Sequence, residues 1–190
     1  MAAPSLPYVT LEQYLAFDRD SEIDHEYIYG AVRPVEQATS GHGRIVANTT
    51  IAIGTRISAM DCAVYASSAR VCAESKSLYV HPDLTVVCGK VEYAADEDTI
   101  TNPKLIVEVL SPTTANYDLG PKARMYWKIA TLTDLLFVDQ KKVWIEYWFR
   151  VPGGKWASRE YESLSDAVHI ESTGIDIPVA EIYAGVELEA

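Results

Sequence analysis

The chain has 190 residues, 48% of them hydrophobic and 23% charged, which is the make-up of one globular domain over residues 1–190. Its 27 acidic residues outnumber its 16 basic ones, and the net charge of −11 repels a phosphate backbone unless basic side chains gather on one face. No apolar run reaches the roughly 18 residues of a membrane span, and the first residues lack a secretory pattern, so we expect a cytoplasmic protein with no membrane partner.

The first third of the chain predicts two helices with a hairpin between them. Thr10 and Gln13 have the spacing of a capping box, and an apolar stripe follows, which predicts a short helix. The runs at 26–29 and 31–35 predict a hairpin or a kinked strand. Over residues 40–60 apolar side chains recur every three or four positions, which is typical of an amphipathic helix.

Short strands dominate the next part. The segments 63–66, 69–73, 83–87 and 105–110 each predict a strand, and an acidic loop at 92–98 separates the last two. The three cysteines stand singly, without the spacing of a zinc or redox motif, so we expect reduced packing residues.

The last third returns to a helix and then to strands. Asp118 is placed to cap a helix that has Pro121 in its first turn and ends near Ile129. Antiparallel strands are predicted after it, with the second of them at a possible sheet edge and one short element in the tail: 135–138, 143–149, 155–161 and 175–183. This mixture of helices and strands around a central sheet predicts an α/β fold.

Two acids, Asp83 and Glu108, each stand in an otherwise apolar run. Alternation places Glu108 on one face of a strand that is apolar on both faces. A lone ionised carboxylate in such surroundings is unstable unless a cation or a donor compensates it. If the two strands pair, these acids offer hard oxygen ligands for Mg²⁺ or Mn²⁺. The alternatives are a salt bridge to an arginine such as Arg70, or an acid exposed at a strand end.

Several motifs along the chain form a recognisable set. They are, in chain order, Glu26-Tyr27-Ile28-Tyr29-Gly30, His42, His81-Pro82-Asp83, Val107-Glu108-Val109-Leu110-Ser111-Pro112, Asp118, Lys122 and Tyr126. This set resembles the Uma-type family of bacterial endonucleases, which is similar to the PD-(D/E)xK restriction-endonuclease superfamily. The resemblance implies an α/β (α+β) fold with a restriction-endonuclease-like core, a mixed β-sheet flanked by helices.

The same resemblance implies roles for individual residues. Asp83 and Glu108 are expected to bind the metal and to act in catalysis. The superfamily has a lysine two residues after the second acid, which assists the attacking water, but this chain has Leu110 there. The resemblance therefore implies that Lys122, on the next helix, takes the role of that lysine. The alternative is that Lys122 is a solvated helix residue. Glu26 is expected as a further metal-binding carboxylate or as a surface acid. His42 is expected to orient a substrate phosphate, or to cap or pack its helix.

These observations favour a metal-dependent endonuclease that hydrolyses phosphodiester bonds of nucleic acid, DNA rather than RNA, with Mg²⁺ or Mn²⁺. Two alternatives stay open. One is a catalytically inactive nuclease-fold interaction or DNA-binding module, favoured by the net charge of −11. The other is a hydrolase of a small phosphorylated substrate. Because restriction-like folds often cut two strands as symmetric pairs, we also expect a homodimer.

Overall fold

A computed structural model describes residues 8–35, 38–67, 69–74 and 77–189. The helices are α1 (Leu11–Arg19), α2 (Ser40–Ile57), α3 (Ala115–Tyr117), α4 (Ala123–Tyr126) and α5 (Val179–Ile182), and a π-helical turn, Asp118–Lys122, joins α3 to α4. The strands are β1 (His25–Ile28), β2 (Ala31–Pro34), β3 (Cys62–Ala66), β4 (Val71–Glu74), β5 (Leu78–Val80), β6 (Leu84–Cys88), β7 (Leu105–Leu110), β8 (Asp134–Asp139), β9 (Ile145–Arg150), β10 (Trp156–Tyr161), β11 (Ala167–Ile170) and β12 (Ile175–Pro178). Within these residues no helix combines the length and the apolar character that crossing a bilayer requires.

The main sheet has six strands in the order β10-β9-β8-β7-β6-β3. Strands β7 and β8 are parallel and the other neighbours are antiparallel, so the sheet is mixed. All six residues of β7 are buried, because helices and a second sheet cover its two faces. The α/β (α+β) class and the central position of β7 are both confirmed.

The second sheet has four strands in the order β2-β1-β5-β4. The β1–β2 hairpin turns at Tyr29 and Gly30, whose φ angles of 49° and 89° suit the tight turns that match strand twist. Helix α1 packs on this sheet and begins with the predicted capping box of Thr10 and Gln13. Strand β5 was not predicted, because three fully buried residues show no alternation.

The main sheet has a separate apolar core on each face. Helix α2 packs on one face, where Ile45 and Ile53 meet Val107 of β7. The other face meets α3, α4 and the second sheet, where Tyr126 packs near Ile106. Glu108 points to this second face, because side chains alternate along a strand. The candidate site therefore lies between the main sheet, the π-helical turn and β1.

Two predictions in the last third of the chain are wrong. The helix expected from Asp118 to about Ile129 is broken into α3, the π-helical turn and α4, and Asp118 lies inside this segment instead of capping it. Residues 143–149 do not form a sheet edge, since β9 is flanked by β8 and β10.

Arg150 explains why the helical segment ends so early. Its Nε donates to the carbonyl of Leu132 at 2.7 Å, and its Nη2 donates to the carbonyls of Trp127 and Ile129 at 3.0 Å each. A planar guanidinium can satisfy several carbonyls at once, so it ties the residues after α4 to the start of β8.

The cysteine prediction is also wrong. Cys62 and Cys88 occupy paired positions on β3 and β6 and form a disulfide, while Cys72 is a buried thiol. The two cysteines are 26 positions apart, which is not a recognisable motif spacing. Only the strand register brings the sulfur atoms together.

Candidate active site

Asp83 and Glu108 lie next to each other on paired strands. Strands β6 and β7 are antiparallel with Leu84 opposite Val107, and continuing this register by one residue places Asp83 opposite Glu108. Directly opposed residues of an antiparallel pair point to the same face. The backbone N–H of Val109 donates to Asp83 Oδ2 at 2.7 Å, which fixes the aspartate at the edge of the pair. The predicted juxtaposition of the two acids is therefore present.

Lys122 is buried beside this pair. Its Nζ lies 2.9 Å from Glu108 Oε1, 2.9 Å from Glu26 Oε1 and 3.7 Å from Asp118 Oδ1. Lys122 is only 5% exposed and Glu108 only 4% exposed, so the alternative of a solvated lysine is wrong. One ammonium thus serves three carboxylates that come from β1, β7 and the π-helical turn.

The helical segment explains how the lysine reaches the strand. Asp118 and Lys122 lie four residues apart on one face of the segment, and Tyr126 follows one turn later. The Tyr126 hydroxyl donates to Glu108 Oε1, the same oxygen that receives Lys122. The segment is therefore attached to β7 by two polar contacts on a single carboxylate.

Burial dominates the electrostatics of this cluster. It raises the pKa of Glu108 to about 8, although the charge of Lys122 opposes the shift. Burial also raises the pKa of the Asp118 carboxyl. For Lys122 burial alone would lower the pKa, but the carboxylates of Glu108 and Glu26 outweigh it, and the pKa lies well above 10.5. The lysine is therefore charged at neutral pH, and Glu108 has a strong tendency to hold a proton.

Glu26 contacts the lysine and a tyrosine. Its Oε1 pairs with Lys122, and its Oε2 accepts a long hydrogen bond of 3.5 Å from the Tyr117 hydroxyl. Glu26 is buried in β1, so the alternative of a surface acid is wrong. The second sheet thus supplies one wall of the site.

His42 lies in the first turn of α2. Its backbone N–H donates to Oγ1 of the cap residue Thr39, and its ring Nε2 lies 2.7 Å from Asp83 Oδ1. The side chain of His42 therefore holds the outer oxygen of Asp83. No local sequence pattern indicates this pairing, because the two residues are 41 positions apart.

Arg70 does not pair with either acid. It bonds instead to Asp18 at 2.8 Å and to Asp96 at 2.8 Å, in a separate cluster between α1 and the acidic loop. The alternative of a salt bridge from Arg70 to Asp83 or Glu108 is thereby wrong.

The donor set fits a hard divalent cation in its chemistry, since carboxylate oxygens are the ligands that Mg²⁺ and Mn²⁺ prefer. In residues 8–35, 38–67, 69–74 and 77–189, however, no three His, Cys, Asp or Glu side chains are arranged to hold a metal ion. The reason is visible in the cluster, where the Lys122 ammonium bridges Glu26 and Glu108. Asp83 and Glu108 are the residues that would hold a metal.

A family model with the description "Uma2: Putative restriction endonuclease" matches residues 11–180. The chain belongs to the Uma2 family. The matched region contains Glu26, His42, Asp83, Glu108 and Lys122, and the resemblance inferred from the sequence motifs is confirmed.

Two curated proteins and one solved structure are also similar to this chain. Two uncharacterized proteins of Synechocystis are similar to this chain: slr1290, 30% identical over 97% of each chain, and sll1609, 26% identical over 84% of this chain and 91% of its own. A crystal structure of "a putative nuclease belonging to DUF820" from Anabaena variabilis matches 93% of this chain and 98% of its own with a TM-score of 0.76. Its sequence identity is 14%, so this likeness shows a shared fold.

Two members of the cluster were not assigned to the site from the sequence. The sequence predicts Asp118 as a helix cap, and Tyr126 appears in it only among the motifs of the resemblance. Their spacing from Lys122, four residues on either side, was the available signal, because such residues share one helical face.

Proposed function

We propose that this chain is a metal-dependent nuclease that hydrolyses phosphodiester bonds of DNA, with Mg²⁺ or Mn²⁺ held by Asp83 and Glu108. The observation that carries the proposal is the position of Lys122, whose Nζ lies 2.9 Å from Glu108 Oε1, beside the paired acid Asp83. Two acids and a lysine are the residue types that the resemblance implied. The descriptions of the family and of the structural neighbour support the same reaction class.

In the proposed reaction, Lys122, His42 and Val109 have distinct roles beside the two acids. A bound divalent ion would lower the pKa of a water molecule and neutralise charge on the phosphate. Lys122 is protonated at neutral pH, so it acts as a cation and hydrogen-bond donor toward the phosphate or the attacking water rather than as a base. His42 and the Val109 N–H each hold one oxygen of Asp83 and keep that carboxylate in place.

A cleavage assay tests the proposal. Supercoiled plasmid and end-labelled DNA are incubated with the protein in Mg²⁺, in Mn²⁺ and in EDTA. We expect cleavage only with metal, and a loss of at least about a hundredfold in Asp83→Asn and Glu108→Gln. Glu92→Gln is the matched control, because this exposed acid lies in the loop at the other end of the β6–β7 pair. Cleavage that persists in EDTA, or that Asp83→Asn leaves unchanged, would contradict the proposal.

A non-cleaving nuclease-fold module is the second candidate function. The ion pairs of Lys122 with Glu26 and Glu108 favour it, since they compensate the buried carboxylates without a metal. Calorimetric titration with Mn²⁺ separates the two functions. Metal binding that Glu108→Gln abolishes supports the nuclease, whereas DNA binding without metal binding supports the module. Activity on nucleotides but not on polymers would select a hydrolase of small phosphorylated substrates.

Three finer features are also proposed. DNA is preferred over RNA, which parallel assays on both polymers decide. A homodimer is expected by analogy with restriction enzymes that cut the two DNA strands as symmetric dimers, and β10 is an outer strand at which a second copy can pair. Size-exclusion chromatography with light scattering measures the mass. The protein is cytoplasmic, although the Cys62–Cys88 disulfide opposes this, because reducing compartments keep thiols reduced.

A further inference from the structure

One exposed arginine stands directly beside the buried cluster. Arg33 lies on β2 opposite Glu26 of β1, so both side chains leave the same face of the second sheet. The guanidinium carbon of Arg33 lies 5.4 Å above the ring centroid of Tyr117. The Tyr117 hydroxyl in turn reaches Glu26 Oε2 at 3.5 Å. Arg33 and Tyr117 therefore form the outer layer over Glu26 and Lys122.

Among the described residues, the guanidinium of Arg33 forms no ion pair with a carboxylate. In the described ranges, which omit residues 36 and 37 among others, no carboxylate lies within ion-pair distance of its guanidinium. By contrast, Arg56 pairs with Glu181, Arg70 with Asp18 and Arg159 with Glu171, each at 2.8–2.9 Å. Arg33 is also exposed, whereas Tyr117 beneath it is half-buried. The Tyr117 ring lies beneath a side chain that remains exposed, so the guanidinium donors are accessible to a ligand.

An acidic protein needs such a group at the entrance of its site. The net charge of −11 repels a phosphodiester, and Lys122 is buried and already shared by carboxylates. A guanidinium binds a phosphate with two parallel hydrogen bonds, and stacking reduces the freedom that it loses on binding. We propose that Arg33, held over Tyr117, binds a backbone phosphate of the DNA strand that enters the site. The inference rests on the proposed nuclease function but is tested by binding alone.

The experiment is a fluorescence anisotropy titration of end-labelled DNA in EDTA, repeated over a range of salt concentrations. Loss of one phosphate contact from Arg33→Gln lowers the slope of log affinity against log salt by about 0.9 for duplex DNA, or about 0.7 for single strands. The affinity at low salt falls by about tenfold. Arg159→Gln removes the same charge from β10, which is separated from β7 by two strands, and leaves both quantities at the wild-type value.

Two further variants separate charge from orientation. Arg33→Lys retains the wild-type salt slope but binds DNA more weakly, because an ammonium can neither make two parallel hydrogen bonds to a phosphate nor stack on the Tyr117 ring. Tyr117→Leu likewise retains the slope and weakens binding, since the charge remains but its support is lost. Equal slopes and affinities for Arg33→Gln, Arg159→Gln and wild type would overturn the inference, as would an absence of DNA binding by the wild type.

Failure of the nuclease proposal gives a different result. If the wild type never cleaves DNA but Arg33→Gln lowers the salt slope, the phosphate contact of Arg33 is supported and the nuclease assignment is contradicted. If the wild type cleaves with metal but Arg33→Gln has wild-type KM and slope, the nuclease assignment stands and the phosphate contact is overturned.

Discussion

The substitution Lys122→Met tests the buried cluster most directly, because it removes the one cation that three carboxylates share. The three carboxylate oxygens lie 2.9–3.7 Å from Nζ and belong to buried residues. Breaking one side of a buried ion pair costs about 3–5 kcal/mol of stability. Methionine keeps the volume of the lysine stem, so the loss reports charge rather than a cavity.

The loss should depend on pH, with a defined sign. The wild type already loses stability between about pH 5 and about pH 8 through Glu108, whose pKa burial raises to about 8. Without the ammonium, the folded variant must take up at least one further proton on these carboxylates, while the unfolded chain releases it above the ordinary carboxyl pKa of 4.5. The unfolded state then binds fewer protons, so stability falls as pH rises, by about 1.4 kcal/mol per pH unit for each proton. From about pH 5 to about pH 8 the additional loss is about 4 kcal/mol.

Urea unfolding in EDTA at these two pH values measures the effect. The wild type is the reference, and Lys128→Met is the matched control, because Lys128 pairs with Glu74 at the exposed surface. The control should leave the urea midpoint nearly unchanged at both pH values. A loss in Lys122→Met that is the same at both pH values would refute the reasoning, because the carboxylates would then not depend on the lysine for their charge.

Three further results are expected. Thiol titration of the oxidised protein in denaturant should find the single thiol of Cys72, and finding three thiols would contradict the Cys62–Cys88 pairing. Reduction of this disulfide should lower the free energy of unfolding by about 3–4 kcal/mol, which is the loss of chain entropy that the loop predicts. Arg150→Lys should destabilise by about 2 kcal/mol in urea, because an ammonium cannot reach all three carbonyls, and an unchanged midpoint would show that solvent replaces them. Tyr126→Phe should cost about 1–3 kcal/mol, since Glu108 loses a buried donor, and a more stable variant would contradict that role.

The sequence was sufficient for the central strand and its acid. Six residues of which five are apolar, rich in β-branched side chains and followed by Ser111-Pro112, indicate a covered strand, and the alternation then assigns Glu108 to one face. The juxtaposition with Asp83 needed only that the two strands pair, which they do, with Leu84 opposite Val107. The resemblance added Lys122, which neither periodicity nor charge could have assigned.

Other parts were beyond local patterns. Pro121 near Asp118 has the sequence signature of a helix start, so the π-helical turn was predicted as an ordinary first turn. The Cys62–Cys88 disulfide and the contact of His42 with Asp83 depend on which elements pack together. Such long-range pairings are set by tertiary packing, which single-chain periodicity does not contain.

Leu110 stands two residues after Glu108, and its side chain is buried in the apolar core. The cation beside Glu108, Lys122, lies instead on the π-helical turn, in a segment that is held to β7 through Glu108 and, after α4, to β9 through Arg150. Ala123, Tyr126 and Ile129, which follow the turn, belong to the same apolar core as Ile106 and Leu110 of β7. On heating, the charged cluster and the β-sheet should therefore be lost together, in one cooperative event.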